Sequence, residues 1–160
     1  MKLVTSSLLD SLTNEAIQSQ RKRAHYNLHQ NLDDKIHRLC IAVEPGSYVK
    51  PHRHLTPEKW ELLVILRGKM GILLFNDEGI VIDRVELTHD GENICIEIPA
   101  GVWHTFVSME SGSVVFESKP GPYSKPIEND FVNWAPNEGD AKVELFEKWY
   151  RTASTGDSYQ

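Results

Sequence analysis

Gly46-Ser-Tyr-Val-Lys-Pro-His52-Arg-His54, continuing through Glu58 and Trp60-Glu61 to Gly68, is the stretch on which the reading of this chain turns, together with Pro99-Ala-Gly101-Val-Trp-His104 further on. Side chains alternate across an extended strand, so two histidines one residue apart present both imidazoles on the same face. That is a chelating pair. Glu61 opens the apolar run Leu62-Leu63-Val64-Ile65-Leu66, and a carboxylate there can face the pair across an antiparallel hairpin. A third imidazole from His104 would complete a site of three nitrogens and one oxygen. Glu58 is the alternative carboxylate. Glu61 is preferred because its strand is pinned at the far end by Gly68, whereas Glu58 sits beside Pro57 in a stretch that reads as loop.

Working outward, short apolar runs predict strands over 36–43, 48–54, 60–66, 70–75, 80–87, 93–98, 105–109 and 113–118. Gly, Asn and Asp clusters separate them, and Asn76-Asp-Glu-Gly79 is the clearest hairpin loop. Strands of this length at regular spacing imply an all-β, antiparallel sandwich or barrel. Before them, Leu8, Leu9, Leu12, Ala16 and Ile17 recur at helical spacing and predict an amphipathic helix over 6–20 laid on the barrel. Residues 25–31 read as irregular or briefly extended. After them, Pro120-Gly-Pro-Tyr123-Ser-Lys-Pro126 cannot continue a sheet and is expected to cross the barrel rim as an extended cover. Asp140 resembles a helix N-cap, and Val143, Phe146, Trp149 and Tyr150 form an apolar stripe suited to core contacts or a dimer contact. The expected organisation is a single domain: an N-terminal extension over 1–30, the barrel over 31–120, and a cover plus C-terminal helix over 121–160.

The two motifs carry a family resemblance. Gly46, His52, His54, Glu61 and Gly68 resemble the first signature of the cupin superfamily, and Pro99, Gly101 and His104 match its second in full. The first signature usually places three or four residues between its second His and its Glu; here six lie between His54 and Glu61. Ser108 stands where the second signature usually ends in Asn. The wider wording of the chain, from Tyr48 through Lys119-Pro-Gly-Pro-Tyr123 to Trp134-Ala-Pro-Asn-Glu-Gly-Asp140, is similar to the bacterial WbuC-type cupin metalloproteins over most of its length. The resemblance implies a jelly-roll barrel with its histidines at the barrel mouth, a homodimer, and an association with O-antigen polysaccharide metabolism without an assigned reaction.

Composition bounds the function classes. A net charge of −6 excludes a non-specific nucleic-acid binder, whose affinity rests on neutralising phosphates. No apolar run approaches the ~18 residues that cross a membrane, and the N-terminal residues lack the pattern of a secretory signal, so a cytoplasmic location is expected. Cys40 and Cys95 sit apart in apolar settings and read as buried reduced thiols. Arg21-Lys22-Arg23 is the one basic cluster; it reads as a solvated helix end, with an arginine reaching an anionic ligand as the alternative. His37 and His89 read as surface residues, and His25 and His29 as structural or rim residues.

One divalent transition metal is the expected cofactor: Fe(II), Mn(II), Ni(II), Co(II) or Zn(II), which residue type alone does not distinguish. An octahedral ion with four protein ligands keeps two positions for water or substrate, and those make a site catalytic. Glu117 and Lys119 alternate onto one face of the last strand, and Tyr123 follows in the cover; these three are the candidate proton-transfer residues. Trp60 and Trp103 are expected to line the site. The family resemblance, rather than the residues themselves, implies a metal-dependent isomerase or epimerase acting on a small sugar-like or anionic metabolite. A non-haem iron dioxygenase and a non-catalytic sugar or anion binder are the alternatives.

Overall fold

The alternation of the strands explains how this chain builds its layers. A computed structural model describes residues 1–56 and 59–159. The elements are α1 (Ser6–Gln18), β1 (Arg23–Asn27), β2 (Ile36–Val43), β3 (Glu61–Arg67), β4 (Lys69–Phe75), β5 (Val81–Thr88), β6 (Cys95–Ile98), β7 (Trp103–Ser108), β8 (Ser113–Pro120) and α2 (Val143–Thr152), with a 3-10 turn at Glu128–Asp130. They form two antiparallel sheets, a five-stranded one in the order β1-β2-β8-β3-β6 and a three-stranded one in the order β5-β4-β7. No helix is long and apolar enough to cross a membrane among the described residues.

Strands β2, β4 and β7 bury both faces along most of their length, whereas β1, β5 and β6, each at a sheet edge, leave residues exposed. Leu39, Ile41 and Val43 of β2 point between the sheets with Leu63, Ile65, Met70, Ile72, Phe106 and Val115. Cys40 and Ala42 point the other way, against Leu9, Leu12 and Ala16 of α1. On the far side, Leu73 and Phe75 of β4 turn away from the inter-sheet core and meet Phe146 and Tyr150 of α2. The order through the molecule is therefore helix, sheet, core, sheet, helix. The stripe of α2 is core, as its helical spacing predicts. Within α1 the register is narrower than expected: the helix stops at Gln18 and Ile17 faces solvent.

Several expectations are corrected. The two sheets are not joined into a closed barrel, and 48–54 is not a strand: only His52 makes bridges, one to His104 and one to Phe131. Pro51 has no amide to donate, and its neighbours bond to different partners. His52 exchanges backbone hydrogen bonds with His104, the Arg53 amide donates to Asp130 O, and the Val49 carbonyl accepts from the Thr105 hydroxyl. No continuous ladder can run under those conditions. Residues 23–27, at and before the start of the stretch read as irregular or briefly extended, form an edge strand on β2. Pro120 ends β8 rather than starting the cover. Asp140 does not cap α2; its carboxylate accepts from the Asn137 amide, closing a turn before the helix. Cys95 is exposed because β6 is a short edge strand, while Cys40 is buried. His37 is buried too, stacked on His29 with ring centroids 4.2 Å apart and its Nε2 3.0 Å from Leu32 O.

The motif glycine at the end of β3 is needed for two reasons. Gly68 has φ +74°, and a Cβ there would stand 2.8 Å from the Ser113 Cα, so both conformation and space exclude a side chain.

Arg84 of β5 fastens the outer helix. Its guanidinium donates to the carbonyls of Tyr150 (2.6 Å), Ala153 (2.7 Å) and Arg151 (3.0 Å), satisfying the carbonyls that the end of α2 leaves open. Arg84→Ala is expected to cost about 2 kcal/mol, since charged donors to buried acceptors are the stronger kind. A urea midpoint that falls with an unchanged slope would show it.

Candidate metal centre and cavity

Four donor residues converge from three different parts of the fold. Glu61 begins β3 on its inward face, two residues before the core residue Leu63. His104 lies on β7, two residues before the core residue Phe106, and so faces the same space from the other sheet. His52 and His54 come from the coil segment that the His52–His104 bridge and the bond from the Gly101 amide to His54 O (2.8 Å) hold against the start of β7. One ligand atom from each of the four residues lies within 4.8 Å of every other. Bonds of about 2.1 Å put opposite donors around one ion ~4.2 Å apart. Shifts of a few tenths of an ångström would close the group on an ion. Glu58 lies outside the described residues.

Hydrogen bonds behind the imidazoles aim them. His52 Nδ1 is 3.1 Å from Lys50 O and His104 Nδ1 is 2.8 Å from Val102 O, which leaves both Nε2 atoms facing inward. His54 Nε2 is 2.7 Å from Glu61 Oε1, and His104 Nε2 is 3.1 Å from Glu61 Oε2. His104 therefore meets an acceptor at each nitrogen, while a neutral imidazole carries one proton. A cation between His104 Nε2 and the carboxylate would satisfy both. The donor set thus fits a divalent ion.

The electrostatics point the same way. Burial and the neighbouring His104 lower the His52 pKa to about 3, so its ring is neutral at ordinary pH, as a metal ligand must be. For Glu61, burial favours the protonated form. Lys119 and the hydrogen bonds from His104 and His54 overcome that and hold the carboxyl well below its usual range.

Glu117 and Lys119 share the inward face of β8 with the core residue Val115. The β3–β8 register pairs Leu62 with Ser118 and Leu63 with Glu117, which brings Glu61 abreast of Lys119. Lys119 Nζ stands 2.8 Å from Glu61 Oε1 and 2.7 Å from Glu117 Oε1. The first contact is an aligned hydrogen bond; the second is a close ion pair whose angles leave Glu117 Oε1 without one. Burial and the Glu61 charge push the Glu117 carboxyl up despite Lys119. Burial would lower the Lys119 ammonium, but Glu117 and Glu61 raise it instead.

These groups open onto a cavity of about 540 Å³. His52, His54, Glu117 and Lys119 line it, and so does Pro126, where the proline-rich segment reaches the rim. Tyr123 is not among the lining residues; it is 52% exposed and only its backbone is tied down, the amide donating to Leu32 O (2.7 Å). Trp103 is buried beside the site on the opposite face of β7, donating to Asp77 Oδ1 (2.8 Å) with the Arg53 guanidinium 4.0 Å from its ring centroid. Trp60 lies just before β3 and is partly buried. Sequence reasoning missed Lys50, Phe131, Asn137 and Glu138 as cavity residues and left His25 at the rim without a partner. Nothing in the local sequence marks Phe131 or Glu138.

Comparison with known proteins agrees with this architecture. CapF, solved with the inhibitor 3-isopropenyl-tropolone, superposes with a TM-score of 0.56 at 18% identity over 71% of this chain and 32% of CapF, so the chain spans about a third of that protein. A cupin superfamily protein from Desulfitobacterium hafniense matches 61% of this chain and 76% of its own, with TM-score 0.48 and 14% identity. KdgF from Halomonas sp. matches 62% of this chain and 79% of its own, with TM-score 0.48 and 15% identity. No curated protein matches the sequence. Residues 4–87, more than half of the chain, match the sequence model of a family described as Domain of unknown function (DUF6016), and the chain belongs to that family.

Proposed function

We propose that this protein binds one divalent transition metal through His52, His54, Glu61 and His104, and that it is an enzyme acting on a small polar metabolite in the adjoining cavity. The observation that carries this reading is the convergence of four donor atoms within 4.8 Å at the inner end of a cavity lined by Glu117 and Lys119. A metal held there supplies Lewis acidity toward substrate oxygens. The chain's own residues supply proton transfer. In this scheme Glu117 takes a proton from the hydroxyl-bearing carbon next to a substrate carbonyl, and the Lys119 ammonium stabilises the negative charge that then develops on oxygen. Return of that proton to the former carbonyl carbon, with the proton of the adjacent hydroxyl passing to the former carbonyl oxygen, completes an isomerisation; its return to the other face of the same carbon completes an epimerisation. Leu39, Ile41 and Phe106 line the same cavity, and Glu117 is itself buried. Tyr123 has no part in this scheme, because its exposed side chain does not line the cavity.

Elemental analysis of protein purified without chelator or a nickel column tests the metal. The wild type is expected to hold about one ion per chain, and His54→Ala to hold none while retaining its fold. Unchanged metal content in His54→Ala would refute the ligand assignment. Oxygen uptake during turnover would replace proton transfer by the dioxygenase alternative.

A further inference from the structure

On the reading of the cavity as a metal-centred substrate site, we propose that its ligand carries an oxyanion, a carboxylate or a phosphate, which lies at the cavity rim among Arg21, Arg23 and Lys50. The chain as a whole carries a net charge of −6, yet three cations meet at this rim with one carboxylate, Glu138, between them. Arg21 Nη2 is 2.7 Å from Glu138 Oε1, and the Arg23 guanidinium bonds to the same oxygen. Two guanidinium groups converging on one carboxylate oxygen form the arrangement by which proteins hold a bound carboxylate or phosphate. The position is built rather than incidental: the Arg23 side chain is only 7% exposed, and its Nη1 donates to Tyr48 O (2.7 Å). Lys50 has a neutral partner, Asn137 Oδ1 at 2.9 Å, and forms no ion pair among the described residues.

His25 also lines the cavity; partial desolvation, with the positive charges of Arg23, Arg21 and Lys119 added, lowers its pKa to about 4 although the residue remains exposed. Apolar side chains, Leu39, Ile41, Val49 and Phe106, also line the cavity. The ligand that fits has oxygens at its inner end, an oxyanion at its outer end and a carbon skeleton between. Glu138 sits in the connection between the 3-10 turn and α2, outside any regular element, and its carboxylate stands where the ligand's anion would lie.

The test uses the full chain, freed of metal by chelator, at fixed ionic strength, titrated separately with inorganic phosphate and with acetate and followed by backbone amide shifts. At least one anion is expected to bind in the millimolar range with shifts at residues 21–25 and 50. Arg21→Gln should weaken that binding about tenfold or more, and Glu138→Gln should tighten it about tenfold, because it removes the competing charge. The better-bound anion assigns the ligand as a phosphate or a carboxylate. Binding of neither anion, or the same response to both substitutions, overturns the proposal. Metal content is measured in parallel: anion selectivity in a protein that takes up no metal would refute the metal reading alone. Full metal loading with anion binding indifferent to both substitutions would refute the oxyanion site alone.

Discussion

Glu61→Gln is expected to lower metal affinity by about a hundredfold or more, beyond what loss of a residue behind the ligands costs, while leaving the sheets intact. The substitution is nearly isosteric, so its effect is electrostatic. In the wild type one carboxylate sits within 2.7–3.1 Å of His54, His104 and Lys119 and is itself 3% exposed. An amide keeps the shape but loses the negative charge and turns a donor toward groups that need an acceptor. Competition with a coloured chelator gives the affinity directly. An affinity within threefold of wild type would show that another carboxylate holds the ion. In that event Glu58, which keeps the shorter motif spacing, is the residue to replace next.

Lys119→Met is expected to destabilise the metal-free protein by roughly 3–5 kcal/mol at neutral pH, because it leaves Glu61 and Glu117 buried beside each other without their shared cation. The deficit should be smaller in metal-loaded protein, where a divalent charge neighbours Glu61. Its pH dependence has a definite sign. The Glu117 carboxyl is already raised in the folded state, by burial and by Glu61, and Lys119 opposes that rise. Removing Lys119 raises it further. A raised folded-state pKa means that stability is recovered as the pH falls through that value toward the unfolded value near 4.5, and is lost as the pH rises through it. The difference between variant and wild type should therefore be greatest at neutral pH and shrink toward pH 5. Denaturation by urea at three pH values measures it, and a difference independent of pH would show that the loss comes from the lysine's aliphatic stem.

Much of this was legible in the residues because its physics is local. Alternation along 113–120 puts Glu117 and Lys119 on one face of their strand whatever the surroundings, so that pair could be assigned before any contact was known. The helical spacing of Phe146 and Tyr150 likewise required a buried stripe on α2. The 48–54 segment was misread because a strand depends on partners as much as on its own sequence. His52 finds His104 on one side and Phe131 on the other, but Pro51 and the separate partners of its neighbours prevent a ladder.

The amino-acid sequence alone brought forward three histidines, two candidate carboxylates and the glycine-bounded turns around them, since each follows from spacing and backbone conformation within a few residues. Only the tertiary structure decided what shares the space with those donors. Lys119 bridges two carboxylates because of the β3–β8 register, Tyr123 is left outside by the path of the proline-rich segment, and Glu138 meets Arg21 and Arg23 across more than a hundred residues. Such contacts depend on how sheets and connections come together in space, a constraint that no stretch of neighbouring residues contains.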